Sequence, residues 1–227
     1  MTREDALALP LLALTFVTGL VDAVSFLGLG RIFTANMTGN VVLLGFAVAG
    51  VSGLSVPRSL TSVVAFLVGA VLGGRLGAAT ADANRRRWLL AFAFSEAGLL
   101  FIAAFVSIGF DNALATPSWR LYVIIVLTAL AMGVRNATVR RLAVPDLTTT
   151  VLTLTLTAVA ADSSLAGGSN PRLGRRVASV LLMFAGAALG ALLLQRGLAL
   201  PLALSGTCVL GAMATCALAP TTTVCRR

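Results

Sequence analysis

Residues 19–40 read "GLVDAVSFLGLGRIFTANMTGN", and a weaker echo, "GVRNATVRRLAVPDLTTTVLTLT", occupies residues 133–155. Gly19, Asp22 and Ala23 match Gly133, Asn136 and Ala137. With one residue inserted, Thr34, Thr38 and Asn40 fall on Thr149, Thr153 and Thr155. Farther on, Pro57-Arg58 answers Pro171-Arg172, and "GAVLG" at Gly69 answers "GAALG" at Gly186. The chain therefore reads as one domain over residues 1–227, built from two halves at about 8–110 and 119–219. In each half an apolar run leads to a polar segment that opens a second, shorter apolar run.

Lipid is the solvent this pattern implies. Hydrophobic residues make up 58% of the chain, charged residues 11%, and the mean hydropathy is +0.99. A soluble domain carries roughly 25% charged residues, and one of this size could not hide so much apolar surface from water. The net charge of +9 comes from arginine alone, with no lysine and no histidine. The arginines cluster between apolar runs, as in "DANRRR" and "PRLGRR", where the cationic bias of cytoplasmic loops accounts for them. No aromatic-interleaved basic surface points to nucleic acid as a partner. Lack of histidine removes the commonest proton shuttle and metal ligand, and Cys208, Cys216 and Cys225 form no C-x-x-C pair. Neither a metal site nor a cofactor is expected. At the N-terminus Arg3 is outweighed by Glu4 and Asp5, and no A-x-A site follows the apolar stretch. That stretch reads as a retained first span rather than a signal peptide.

Apolar runs fall at about residues 8–30, 37–53, 60–81, 88–110, 119–139, 147–161, 176–195 and 198–219. Six reach the roughly 20 residues that cross a bilayer. "MTGNVVLLGFAVAG" is short and glycine-punctuated, and "TTTVLTLTLTAVAA" is short and threonine-rich. If all eight cross, with the N-terminus inside, the arginines divide almost evenly between the two sides. If the two short runs dip in and return, thirteen face inward and only Arg31, Arg58, Arg120 and Arg196 face outward. The positive-inside bias favours the second scheme. The expected fold is all-α: a polytopic helical membrane bundle of six full spans plus two short re-entrant or half-helical segments. Both termini are cytoplasmic in this scheme. Three crossings per half, an odd number, would make the two-fold internal repeat inverted, a recurrent transporter plan. Were all eight runs to cross, the repeat would be parallel.

Candidate site residues lie in the two polar segments. In "TANMTGN", Asn36, Thr38, Gly39 and Asn40 can cap a helix near Thr38 and leave backbone N–H groups for a solute. Its partner "DLTTTVLTLTLT" spaces Thr149, Thr153 and Thr157 at helical i, i+4 positions, with Thr155 beside them. Threonines in membrane helices also bond back to their own turn or to a neighbouring helix, so a purely structural role is the competing reading. Charges within spans are costly and turn inward. Asp22, Glu96 and Arg135 are such charges, either as a structural ion pair between Arg135 and one of the acids or as an ion-coupled carboxylate. Asn136 stands where the second half matches Asp22. Gly69-x-x-x-Gly73 and Gly186-x-x-x-Gly190 read as packing motifs.

"GLVDAVSFLGLGRIFTANMTGNVVLLG" resembles the signature of the YoaK-type bacterial membrane family, a domain of unknown function. "RNATVRRL" and "TTTVLTLTLT" resemble that family's second stretch, except that Leu154 stands where its members usually have glycine. The resemblance implies a six-span protein of the bacterial inner membrane and carries no activity with it. The residues themselves suggest a small secondary transporter or permease. A small polar or anionic solute would be bound by Asp22, Asn36, Thr38, Gly39, Asn40, Asn136, Thr149, Thr153 and Thr155, with Asp22 as the coupling carboxylate. The lipid bilayer and a second copy of the chain are further expected partners. A non-transporting scaffold or partner subunit is the alternative. An enzyme is not expected: no H-E-x-x-H or G-x-S-x-G motif is present, and without histidine a Ser or Cys nucleophile lacks its usual base.

Overall fold

The computed structural model describes residues 3–80, 85–110, 118–143 and 152–218, with side chains over 7–79, 86–110, 118–143 and 152–215. Among the described residues there are eight α-helices and no strand. The first, α1 (Arg3–Ala23), runs on into a wide π-helical turn at Val24–Gly28. It is followed by α2 (Met37–Val48), α3 (Val56–Thr80), α4 (Arg85–Val106) and α5 (Trp119–Leu142). The chain closes with α6 (Leu152–Ala161), α7 (Leu173–Leu194) and α8 (Ala199–Leu218).

Length and apolarity suffice to cross a membrane in five helices: Leu7–Gly28, Val56–Ala79, Arg86–Val106, Trp119–Leu142 and Leu173–Leu194. The two runs expected to be short are short, 12 residues in α2 and 10 in α6. The eighth helix has 20 residues, with side chains described only as far as Thr215. Inner and outer helices separate clearly. Most of the α1 and α5 spans is buried, whereas α3 and α7 turn most of their surface outward, including Leu67, Val71 and Leu72 on α3 and Leu181, Phe184 and Leu192 on α7. Such apolar outer faces suit hydrocarbon.

Glycine seams hold the inner helices to the outer ones. In lipid, helices associate by close packing rather than by escape from water, so small residues at the contact matter most. On α1, Gly19 abuts the backbone of Met183 and Ala187 on α7, and on α7 Gly186 abuts that of Phe16 and Leu20. Gly190 lies against Leu20 and Ala23. The second seam joins α5 to α3. There Gly133 abuts the backbone of Phe66 and Ala70, Gly69 that of Leu130, and Gly73 lies against Val134 and Ala137. A Cβ at Gly19, Gly69, Gly133 or Gly186 would collide with partner backbone. Contacts advance in the same direction along both helices of each seam, so each pair is parallel. Helix α4 packs on α5 and α8, and α8 packs on α1.

The chain returns on itself around α2. The Arg58 side chain, at the start of α3, lies against Gly30, just past the π turn. Arg31 in turn reaches Gly53, beyond the end of α2. Gly30, Arg31 and Gly53 all have positive φ (88°, 59° and 80°), the left-handed turns that bend the backbone here. The segment leading into α2 and the segment leaving it therefore lie together, and α1 ends where α3 begins.

Candidate functional site

A hydrogen-bonded clamp sets the start of α2. Phe33 N–H donates to Asn40 Oδ1 (2.8 Å), and Asn40 Nδ2 donates to Phe33 O and to Ser62 Oγ on α3, the latter at 3.0 Å. Ser62 Oγ also donates to Phe33 O (2.6 Å). Asn40 thus satisfies the amide and carbonyl of one loop residue, as buried backbone polar groups require. Asn36 is the N-cap, its side chain accepting from Gly39 N at 3.2 Å. A side chain at Gly39 would meet the Phe33 ring, 2.9 Å from where a Cβ would stand; that ring stacks on Phe26 with centroids 5.1 Å apart. Past this clamp, Thr38 is exposed at the first turn of α2.

At the other short helix, Arg176 Nη1 on α7 donates to Ala158 O and to Asp162 Oδ2, both at 2.8 Å. This holds the C-terminal end of α6 against the first turns of α7. Thr157 Oγ1 donates to the backbone carbonyl of Thr153 (2.9 Å), and Thr153 itself is exposed.

Between the first turns of α2 and α6 lies a cleft of about 530 Å³. Phe33, Asn36, Thr38, Gly39, Val42 and Leu43 line it from one side, and Leu152, Thr153 and Leu156 from the other, with Met183 of α7 as a further wall. Its polar side chains, Asn36, Thr38 and Thr153, are uncharged; the rest of the lining is apolar apart from Gly39. Polar groups few in number on an apolar wall are the usual build of a small-molecule site. The candidate residues Asn36, Thr38, Gly39 and Thr153 therefore come together, although Thr38 and Thr153 are more than a hundred residues apart in sequence.

The other candidates sit elsewhere. Asn40 is buried in the clamp and Thr155 is buried within the bundle, and neither lines the cleft. Asn136 donates to Met132 O on its own helix (2.8 Å). Thr149 lies outside the described residues. Among the described residues no three metal-ligating side chains converge.

The span charges form a separate centre. Arg135, fully buried, pairs with Glu96, also fully buried, through Nε (2.7 Å) and Nη2. Its Nη1 donates to Leu14 O and Thr18 Oγ1 on α1, both at 2.9 Å. Asp22 is half-buried and within electrostatic reach of Arg135, but among the described residues its Oδ1 has no hydrogen-bond partner, and neither has Glu96 Oε2. Ser62, Thr18 and the Leu14 carbonyl are supports that sequence reasoning missed. Hydroxyls three residues apart inside apolar runs, Thr15 with Thr18 and Ser59 with Ser62, were the available signal; all four are buried.

The family described as "Protein of unknown function (DUF1275)" matches residues 10–216 of this chain. The chain belongs to that family. A relative from Bacillus subtilis (strain 168), the UPF0700 transmembrane protein YoaK, is 33% identical over 159 residues, 69% of this chain. The matched part spans 66% of the relative's own length. No solved structure matches. Membership agrees with the resemblance seen in residues 19–45 and identifies a transmembrane relative, so the reading of the five long apolar helices as membrane spans has a second ground.

Proposed function

We propose that this chain is a small solute permease of the bacterial plasma membrane that takes a small polar or anionic solute into the cleft between α2 and α6. One observation carries the reading: the N-terminal turns of the two short helices line one cleft, with Thr38 and Thr153 both on its wall. At 1.5 Å per residue α2 and α6 are about 18 and 15 Å long, half of a hydrocarbon core of about 30 Å. Met183 is the eleventh of the 22 residues in α7, so a cleft it lines would sit near mid-membrane. Short helices whose N-termini meet there point unpaired N–H groups and positive dipole ends at one space. Broken backbone at that depth is tolerated where it lines a wet cavity.

The architecture that supports this is six crossings with α2 and α6 re-entrant, both termini cytoplasmic, and an inverted repeat. The contacts of Gly30 with Arg58 and of Gly53 with Arg31 favour an α2 that goes back to the side it left. At 20 residues, α8 has about 30 Å of length for the sixth crossing. The matched seams favour the repeat: Gly19 meets α7 as Gly133 meets α3. Asp22, near Arg135 yet unclaimed by it, is the coupling carboxylate in this reading.

Uptake of a broad solute panel into proteoliposomes tests it. One or more polar solutes should accumulate above protein-free vesicles. Thr38→Val and Thr153→Val should each cut that uptake about tenfold, the worth of one lost hydrogen bond of about 1.4 kcal/mol, with melting unchanged. A wild-type protein that moves no solute would leave the scaffold or partner-subunit reading in its place.

A further inference from the structure

The lining of the cleft follows an order along its two short helices. On α2, Thr38 and Gly39 stand in the first turn, and Val42 and Leu43 stand one turn on. On α6, Thr153 stands in the first turn and Leu156 one turn on. Residues three and four apart share a helix face, so each helix presents a hydroxyl at its start and aliphatic side chains beyond it. Asn36 Oδ1 accepts from Gly39 N–H, so the Asn36 amide meets a solute with its NH2 donor. Six of the ten lining residues are apolar and none is charged. A solute with polar groups all round, such as a sugar, would leave several of them against hydrocarbon without partners. A dianion calls for arginine or lysine, and an ammonium would face positive dipole ends. Two helix N-termini, each worth about half a positive charge, balance one negative charge.

We propose that the solute is a small monocarboxylate with an apolar body. Its carboxylate is held at the starts of α2 and α6 by Asn36, Thr38 and Thr153, and its hydrocarbon lies against Val42, Leu43 and Leu156. The inference rests on the reading of the cleft as a solute site and narrows that solute from polar or anionic to this one class. A cleft of about 530 Å³ falls in the lower half of the range of about 300–1,000 Å³ for small-molecule pockets, which leaves room for an aromatic acid. Leu156 is the specificity-determining residue in this arrangement, since it offers contact to the body of the solute and nothing to its charge.

Calorimetric titration of the detergent-purified protein at neutral pH tests the class directly, with benzoate, phenylacetate and pentanoate as probes. At least one should bind saturably. Benzamide, which keeps the shape of benzoate and lacks its charge, should bind about tenfold more weakly. Succinate and inorganic phosphate should not compete. Thr38→Val and Thr153→Val should each weaken the carboxylate about tenfold. Leu156→Ser, at a position 51% exposed, should weaken phenylacetate about fivefold with melting unchanged. The proposal is overturned if none of the three acids binds, if benzamide matches benzoate, or if both threonine variants bind as the wild type does. Carboxylate binding without uptake into proteoliposomes would sink the permease reading and support this one. Uptake confined to sugars, amines or dianions would do the reverse.

Discussion

Arg135 has four donor contacts and one carboxylate partner, and the choice of partner has measurable consequences. Glu96 takes Nε and Nη2, while Leu14 O and Thr18 Oγ1 take Nη1. Removing one member of a fully buried pair strands the other, at a cost of about 3–5 kcal/mol. Arg135→Gln and Glu96→Gln should therefore each lower the melting temperature sharply, and the double variant should recover much of the loss. Asp22 differs. Its Oδ1 has no hydrogen-bond partner among the described residues, so Asp22→Asn should leave stability unchanged or raise it, because a charge without a hydrogen-bond partner in a span is itself costly. Under the permease reading the same change should impair uptake. A collapse of melting in Asp22→Asn would show that the carboxylate is structural. The sequence placed all three charges inside spans but could not choose between the acids. Depth along a helix is legible from hydropathy; the rotation that turns Glu96 toward Arg135 is set by packing across four helices.

At the scale of elements, the clamp around α2 is the device that sets the cleft's near wall. Asn40 serves Phe33 N–H, Phe33 O and Ser62 Oγ. Asn40→Ala leaves the Phe33 N–H unsatisfied, at about 1–3 kcal/mol, while Ser62 still donates to Phe33 O, and should lower the melting temperature and open the 29–36 segment to proteolysis. Ser62→Ala should do the same more mildly, since Asn40 still bridges the loop. Hydropathy and glycine spacing showed the two short helices and even the capping asparagine, because these signals are local. The function of Asn40 was not legible. An asparagine beside a threonine and a glycine reads equally well as a solute ligand, and only its placement beside Phe33 and Ser62 reveals the clamp. Thr155 resists sequence reading in the same way, being two residues from Thr153 and so on the other side of α6, where it is buried.

For the whole molecule, the discriminating measurement is sidedness. Reporters fused at residues 56 and 84 should read outside and inside, and probes at residues 31 and 53 should label from one side. Eight crossings with the N-terminus inside would reverse the fusions and place residues 31 and 53 on opposite faces. The internal match of residues 19–40 with 133–155 was readable because glycines at helix contacts constrain sequence tightly. Which helix each glycine meets was not, since the partners belong to the other half of the chain.

Those seams bear on how the protein is made. Gly19 meets its partner helix only after Gly186 has been synthesised, and Gly69 must wait for Leu130. During translation the first half is inserted with both glycine faces bare to lipid, and neither half carries its own mates. A gene cut between codons 110 and 118 should therefore yield two fragments that are degraded when expressed singly. Expressed together, they should assemble into a complex of wild-type stability, each supplying the surface the other lacks.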